Sequence, residues 1–232
     1  MKLHVTIAIL LAFAPAAISD TPSAGGAVRG KIRVIDRGTA VAHDNVYVYL
    51  EDTRHHRHAL PGAGQKAEIK QVKKQFTPQV LVVPTGTTIA FPNYDYEEHN
   101  VFSPSDPPGQ FDLGRYNTDH KGKTHEFDDA ADVDIFCDIH QEMRAKVKVV
   151  DTRYFVAASA TGEFALDHVA PGTYWVVGWL PNNKEESRST EKVVVTDGAT
   201  AQLASELHLQ LDLVTTRPHT RKDGTQYPIY KP

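Results

Sequence analysis

The sequence predicts an all-β protein of two β-sandwiches, and three observations carry that expectation. From Ala27 onward the 232-residue chain is a succession of short segments of alternating polarity, separated by Gly, Pro, Asn and Asp. The stretch from Thr53 to Lys70, TRHHRHALPGAGQKAEIK, breaks that rhythm with charge, histidine, Pro and Gly, and marks a boundary between two units. The single cysteine stands between two alternating strands in VDIFCDIHQEMRAKVKVV, residues 133–150, at Cys-x-x-His-x-x-Met spacing.

Residues 1–19 come first. Lys2 precedes an apolar run from Val5 to Phe13, and small residues follow Pro15, the pattern of a secretory signal peptide cleaved after Ser19 or after Ala16. The run falls short of the ~20 residues that a spanning helix needs, and no other apolar segment approaches that length. An exported protein of the bacterial periplasm, with no membrane span after signal removal, is therefore expected. A net charge of −4 and a pI near 6.3 leave no concentrated basic face, which excludes nucleic acid as a partner.

VRGKIRVID and NVYVYLED read as two strands of one sheet joined through a Gly-containing turn, with Val46, Val48 and Leu50 opposite to Tyr47 and Tyr49. In the interruption that follows, His55, His56 and His58 read as a solvated cationic loop, because Arg54 and Arg57 oppose capture of a metal ion. VLVV at 80–83, a Pro-Thr-Gly turn and TTIAF at 87–91 give strand, turn, strand. Pro92 and Asn93 end that strand, and HNVF opens another short extended piece. SPSDPPGQ is irregular, since its prolines remove donors and restrict the backbone. FDLGRY, KTHEF and DDAADVDIFC supply further strands.

Cys137, His140 and Met143 form a soft donor set of thiolate, imidazole and thioether, which favours copper. A second imidazole would complete a His2Cys site with a weak axial Met, and His99 is the candidate. Copper(I) prefers soft, low-coordinate ligands and copper(II) prefers nitrogen, so such a frame is a compromise in which little moves when an electron arrives. Asn100 is expected to hydrogen-bond across to the ligand loop and hold the surroundings of the thiolate. Zinc would more often take four Cys or His ligands.

With those residues in place, the segment from about Gln75 to Val150 resembles a cupredoxin of the plastocyanin and amicyanin branch. Its FPN, HNVFS, FDLG and CxIHxxM elements are most similar to cupredoxin-containing methylamine utilization proteins. The resemblance implies a Greek-key β-sandwich, one type 1 (blue) copper held by His99, Cys137, His140 and Met143, and single-electron transfer with His140 as the exchange edge. It implies a c-type cytochrome or an amine dehydrogenase as redox partner. Asp138 follows the cysteine where small polar residues are common in the family, and Gln141 and Glu142 replace a less polar, Pro-containing segment. The rim is therefore unusually acidic, which reads as simple solvation, with selection of a basic partner or tuning of the potential as the alternatives. Phe136 stands where plastocyanin carries a tyrosine.

Beyond Val150, TGEFALDHVAPGTYWVV resembles the second half of a carboxypeptidase regulatory-like, transthyretin-type β-sandwich, and GKIRVIDRGTAVAHDNVYVYLED at 30–52 fits the missing first half. The layout expected is a smaller prealbumin-like sandwich made of residues 27–60 and 152–212, with the cupredoxin unit, 66–151, inserted. The rival layout has the N-terminal strands extending the cupredoxin sheet. Trp175 and Trp179 fall on one strand face, read as core, with a carbohydrate platform as the alternative. The tail, 213–232, is basic and Pro-containing and reads as irregular.

No enzyme is expected. Oxidases built of such domains flank the ligand cysteine with histidines, whereas Phe136 and Asp138 stand here; neither a Gly-x-Ser-x-Gly elbow nor a HExxH pair occurs, and Asp128, Asp129, Asp132 and Asp134 read as an exposed turn and strand face. The competing function is a copper carrier or sequestration protein, which would share the same ligands without an electron-transfer role.

Overall fold

The computed structural model describes residues 25–54, 60–184, 186–188, 192–213 and 220–227. The signal-peptide stretch and His55, His56 and His58 lie outside them. The described residues are all-β, with no helix long and apolar enough to cross a membrane.

The chain opens with β1 (Gly26–Asp36), β2 (Thr39–Val41) and β3 (Tyr47–Asp52). Ten strands follow: β4 (Lys66–Glu68), β5 (Lys70–Val72), β6 (Gln75–Thr77), β7 (Val80–Pro84), β8 (Thr87–Asn93), β9 (His99–Ser103), β10 (Phe111–Tyr116), β11 (Asp119–Phe127), β12 (Ala131–Phe136) and β13 (Arg144–Val150). The last group is β14 (Phe155–Ala157), β15 (Glu163–Val169), β16 (Gly172–Trp179), β17 (Ser187–Arg188), β18 (Val193–Val195), β19 (Thr200–Gln202) and β20 (Leu207–Gln210).

Four five-stranded sheets result. Two belong to the middle of the chain: β10-β9-β12-β13-β7, and β11-β8-β5-β6 with β4 beside β8. Their inner faces meet in a core of Phe76, Ile89, Phe91, Val101, Ile135 and Val147. The other two are β15-β1-β19 with β2 and β20 on β1, and β14-β3-β16-β17 with β18 on β16. Val28, Ile32, Val48, Leu50, Leu166 and Val176 fill the space between them. The strand layout is that of a cupredoxin-like sandwich together with a second β domain.

Two local expectations need correction. β1 and β3 are not neighbours in one sheet but lie in facing sheets, since β2 folds back on β1 and the chain then crosses before β3 begins. Period-2 alternation identifies which residues face a core, and both strands do send their apolar set into the same one. The interrupting stretch also holds β4 and the start of β5, three residues each. Strands so short carry no period of their own; β4 exists through parallel pairing with β8, and β5 through an antiparallel hairpin with β6.

The outward faces of β3 and β16 and of β7 and β13 are not left in water. Tyr49 of β3 and Val177 and Trp179 of β16 pack against Val82 of β7 and Val150 of β13, with Tyr47 and Trp175 at the edge of the cluster. The two tryptophans therefore share one face, as expected, and that face is covered by the neighbouring sandwich. One charge enters the interface. The ammonium of Lys148 bonds to Asp132 and Glu186 at 3.1 and 2.5 Å and lies 5.8 and 5.7 Å from the ring centroids of Tyr49 and Trp179. Two carboxylates and two aromatic faces supply what a cation loses on leaving water.

We propose that residues 66–151 are an insertion in a host formed by 27–60 and 152–212. Its support is that β1 pairs with β15, β19 and β20, and β3 with β14 and β16, across the whole intervening unit. Replacing residues 62–151 by a short linker should leave a product that melts cooperatively and gives dispersed amide resonances at low concentration, where the uncovered Trp179 face does not cause association. A featureless spectrum without a transition would contradict the insertion.

Candidate metal centre

The site is assembled at one end of the middle sandwich by three pieces of chain. β12 and β13 form a hairpin closed by the Phe136–Arg144 pair, and the loop between them runs from Cys137 to Met143. The Cys137 N–H donates to the Met143 carbonyl at 3.2 Å, and the Met143 N–H to the His140 carbonyl at 3.1 Å. These bonds seat Cys137 and Met143 side by side at the base of the loop with both side chains wholly buried. His99 opens β9, the strand hydrogen-bonded to β12 through Phe102 and Phe136, so it arrives next to the cysteine.

The donor atoms converge. The Nδ1 atoms of His99 and His140 are 3.1 Å apart, the Cys137 sulfur is 3.8 Å from His140 Nδ1, and all three residues offer ligand atoms within 4.8 Å of one another. His99 is fully buried and the His140 side chain is about 20% exposed, so one imidazole edge alone reaches the surface. Two imidazole nitrogens and a cysteine sulfur in a corner sheltered from water, with a buried methionine at the base of the same loop, are a donor set that fits copper.

The opposite ring nitrogens are engaged. His99 Nε2 donates to Asp95 Oδ2 at 2.9 Å, and a carboxylate can only accept, so the ring carries a proton on Nε2 and turns Nδ1 toward His140 Nδ1 and the sulfur. Asp95 is fixed in turn by the N–H groups of Lys73 and Lys74 at 2.6 and 2.8 Å. Those two residues make the tight turn between β5 and β6, both at positive φ, which aims their amides at the carboxylate. His140 Nε2 lies 3.4 Å from Glu97, itself paired with Lys74.

Titration follows this geometry. Burial would raise the Cys137 pKa, yet the contact with His99 and the N–H groups of Asn100, Ile139 and His140 outweigh it and hold the thiol below its ordinary range. Burial would lower that of His99, but the sulfur of Cys137 and the carboxylate of Asp95 together raise it. His140 is lowered by burial, by His99 and by Lys74.

The predicted residues His99, Cys137 and His140 come together, and Met143 is buried in the same core cluster as Cys137. Asn100 behaves differently from its expectation. Its side-chain amide donates to Asp112 at 2.9 Å, and its backbone N–H faces the sulfur. Asp138 does not belong to an acidic rim: its side chain is 3% exposed, and it accepts from Arg115 Nε and Nη2 at 3.2 and 2.5 Å and from the Lys222 N–H at 3.0 Å. Burial of a carboxylate at this point is possible because those donors come to it. The exposed acids beside His140 are Glu97, 3.4 Å from its Nε2, and Glu142 on the same loop. Asp132 and Asp134 pair across the hairpin with Lys148 and Lys146. Sequence reasoning missed Asp95, Asp112 and Tyr227. The signal for Asp95 was its place four residues before His99 in a segment closed by Asn93, whose side chain caps the turn at the Asp95 N–H, 2.9 Å.

Among known proteins, a family profile described as "Polysaccharide lyase family 4, domain II" matches residues 140–203, less than a third of the chain and mostly the second sandwich. No protein with a curated description matches. Solved structures that resemble the chain include a purple cupredoxin from Nitrosopumilus maritimus, 26% identical, covering 36% of this chain and 99% of that one with a TM-score of 0.31. Amicyanin from Paracoccus versutus is 20% identical over 44% of this chain and 98% of its own, TM-score 0.34. A copper-containing nitrite reductase from Thermus scotoductus is 20% identical over 51% of this chain; the match spans only 28% of the reductase, TM-score 0.34.

Asp95→Asn should weaken copper(II) binding by roughly 10- to 100-fold, because His99 loses the partner that fixes its proton and ring plane. Competition titration against a chelator checks this. Unchanged affinity would mean that Asp95 does not orient the ring.

Proposed function

We propose that this protein is an exported type 1 copper protein that carries single electrons between periplasmic redox partners. The observation that carries the reading is the convergence of two imidazole Nδ1 atoms on one buried cysteine sulfur, with a buried methionine at the loop base. Bound copper would supply outer-sphere, one-electron exchange between copper(I) and copper(II). His99, Cys137, His140 and Met143 would hold it, and Asp95 would keep His99 in register. The surrounding sheets resist rearrangement of the donors, which keeps the reorganisation accompanying electron transfer small. His140, as the partly exposed edge, is where a partner would make contact. Glu97 and Glu142 beside it favour a partner with a basic docking face, and a c-type cytochrome or an amine dehydrogenase is the class we assign. The signal-like residues 1–19 support export to the periplasm.

Protein loaded with copper(II) should show an intense visible thiolate-to-copper band and a narrow hyperfine splitting, both lost in Cys137→Ser. It should also exchange electrons rapidly and reversibly with a c-type cytochrome. A colourless, ordinary tetragonal copper signal would contradict the blue-copper assignment. Rapid release of copper to a chelator without redox exchange would favour the carrier or sequestration reading.

A further inference from the structure

We propose that residues 220–227 form a positioning strap that holds the Cys137–Met143 loop from outside and sets the cysteine sulfur against the two histidines. The proposal rests on the reading of the centre as a metal site. Tyr227 belongs to an irregular tail and is nevertheless only 7% exposed, and its hydroxyl donates to the Cys137 carbonyl. Arg221 Nε donates to the Asp138 carbonyl at 3.2 Å, and the Lys222 N–H to Asp138 Oδ1 at 3.0 Å. Two successive carbonyls of the loop and the carboxylate between it and the strap are thus held by one short segment. That segment is shaped by a turn of its own, in which the Arg221 N–H donates to Thr225 at 2.8 Å and the Gly224 N–H to Arg221 at 2.9 Å.

A second connection reaches the sulfur from the other side. Lys222 Nζ lies 3.1 Å from Asp112 Oδ2, and Asp112 Oδ1 accepts from the Asn100 side chain at 2.9 Å. The Asn100 backbone N–H is one of the donors to the Cys137 sulfur. The strap therefore touches no donor atom but contacts the chain on both sides of one.

The burial of Asp138 shows why the loop depends on this segment. Arg115, from β10, occupies Oδ2, and the strap N–H occupies Oδ1. Without the strap, Oδ1 would lose both the Lys222 N–H and the Arg221 guanidinium, which lies 3.7 Å away. A carboxylate that loses these donors is costly to hold against the loop, and the loop would relieve that cost by opening to water. Because Asp138 is bonded directly to Cys137, that opening would displace the sulfur.

The test uses the full-length protein with Tyr227→Phe and with Tyr227→Phe combined with Arg221→Gln. In the metal-free protein, amide hydrogen exchange over residues 137–143 should quicken roughly three- to tenfold, more in the double variant than in the single one, with β7 and β13 unchanged. Copper loss to excess chelator should quicken roughly tenfold in the double variant. Loop exchange that stays as in the parent protein would overturn the strap, and so would a rise spread equally over the sandwich strands, which would make the tail a general stabiliser. If the parent protein takes up no copper, the metal reading falls, while the exchange measurement still decides the strap.

Discussion

The structure turns on the cost of pointing three electron-pair donors at one another where water is scarce. The ring nitrogens of His99 and His140 stand 3.1 Å apart beside the Cys137 sulfur, with His99 and Cys137 fully buried. Such an arrangement is unfavourable unless each donor is tied down elsewhere and a cation joins them. Much of the neighbouring structure meets the first requirement. Asp95 holds the far side of His99, the hairpin base locks Cys137 to Met143, and backbone N–H groups from Asn100, Ile139 and His140 surround the sulfur. A metal ion would meet the second, as the proposed function requires.

The same economy of faces explains the architecture around it. A strand presents alternate residues to opposite sides, so a sheet between two other layers must be apolar on both. β3 does this with Val48 and Leu50 inward and Tyr49 outward, and β13 with Val147 and Val149 inward and Val150 outward. Stacking the outward faces joins the sandwiches through their central sheets. Lys148 is the polar point in that contact, satisfied by acids from both sandwiches, Asp132 and Glu186, which ties the relative placement of the two units to a specific set of bonds.

How much of this could be read in the sequence depended on range. The alternation of NVYVYLED separated Val48 and Leu50 from Tyr47 and Tyr49, and the spacing of Cys137, His140 and Met143 placed them on one loop, because both are short-range geometry. Sheet membership was not legible: β1 and β3 look like a hairpin and belong to facing sheets, since the crossing is decided by β2 and by β15 far along the chain. β4 and β5 were hidden because three residues carry no period. Asp138 looked like a surface acid because nothing nearby in sequence announces Arg115, Arg221 or Lys222. Asn100 was expected to reach the ligand loop with its side chain, which instead donates to Asp112, a partner twelve residues on that nothing in the local sequence announces.

The most direct measurement of the central claim is copper K-edge X-ray absorption on the loaded protein in both oxidation states. The account predicts the same inner shell in each, two imidazole nitrogens and one sulfur, with little change on reduction. A shell of nitrogen and oxygen without sulfur, or a change in coordination number between the two states, would contradict it.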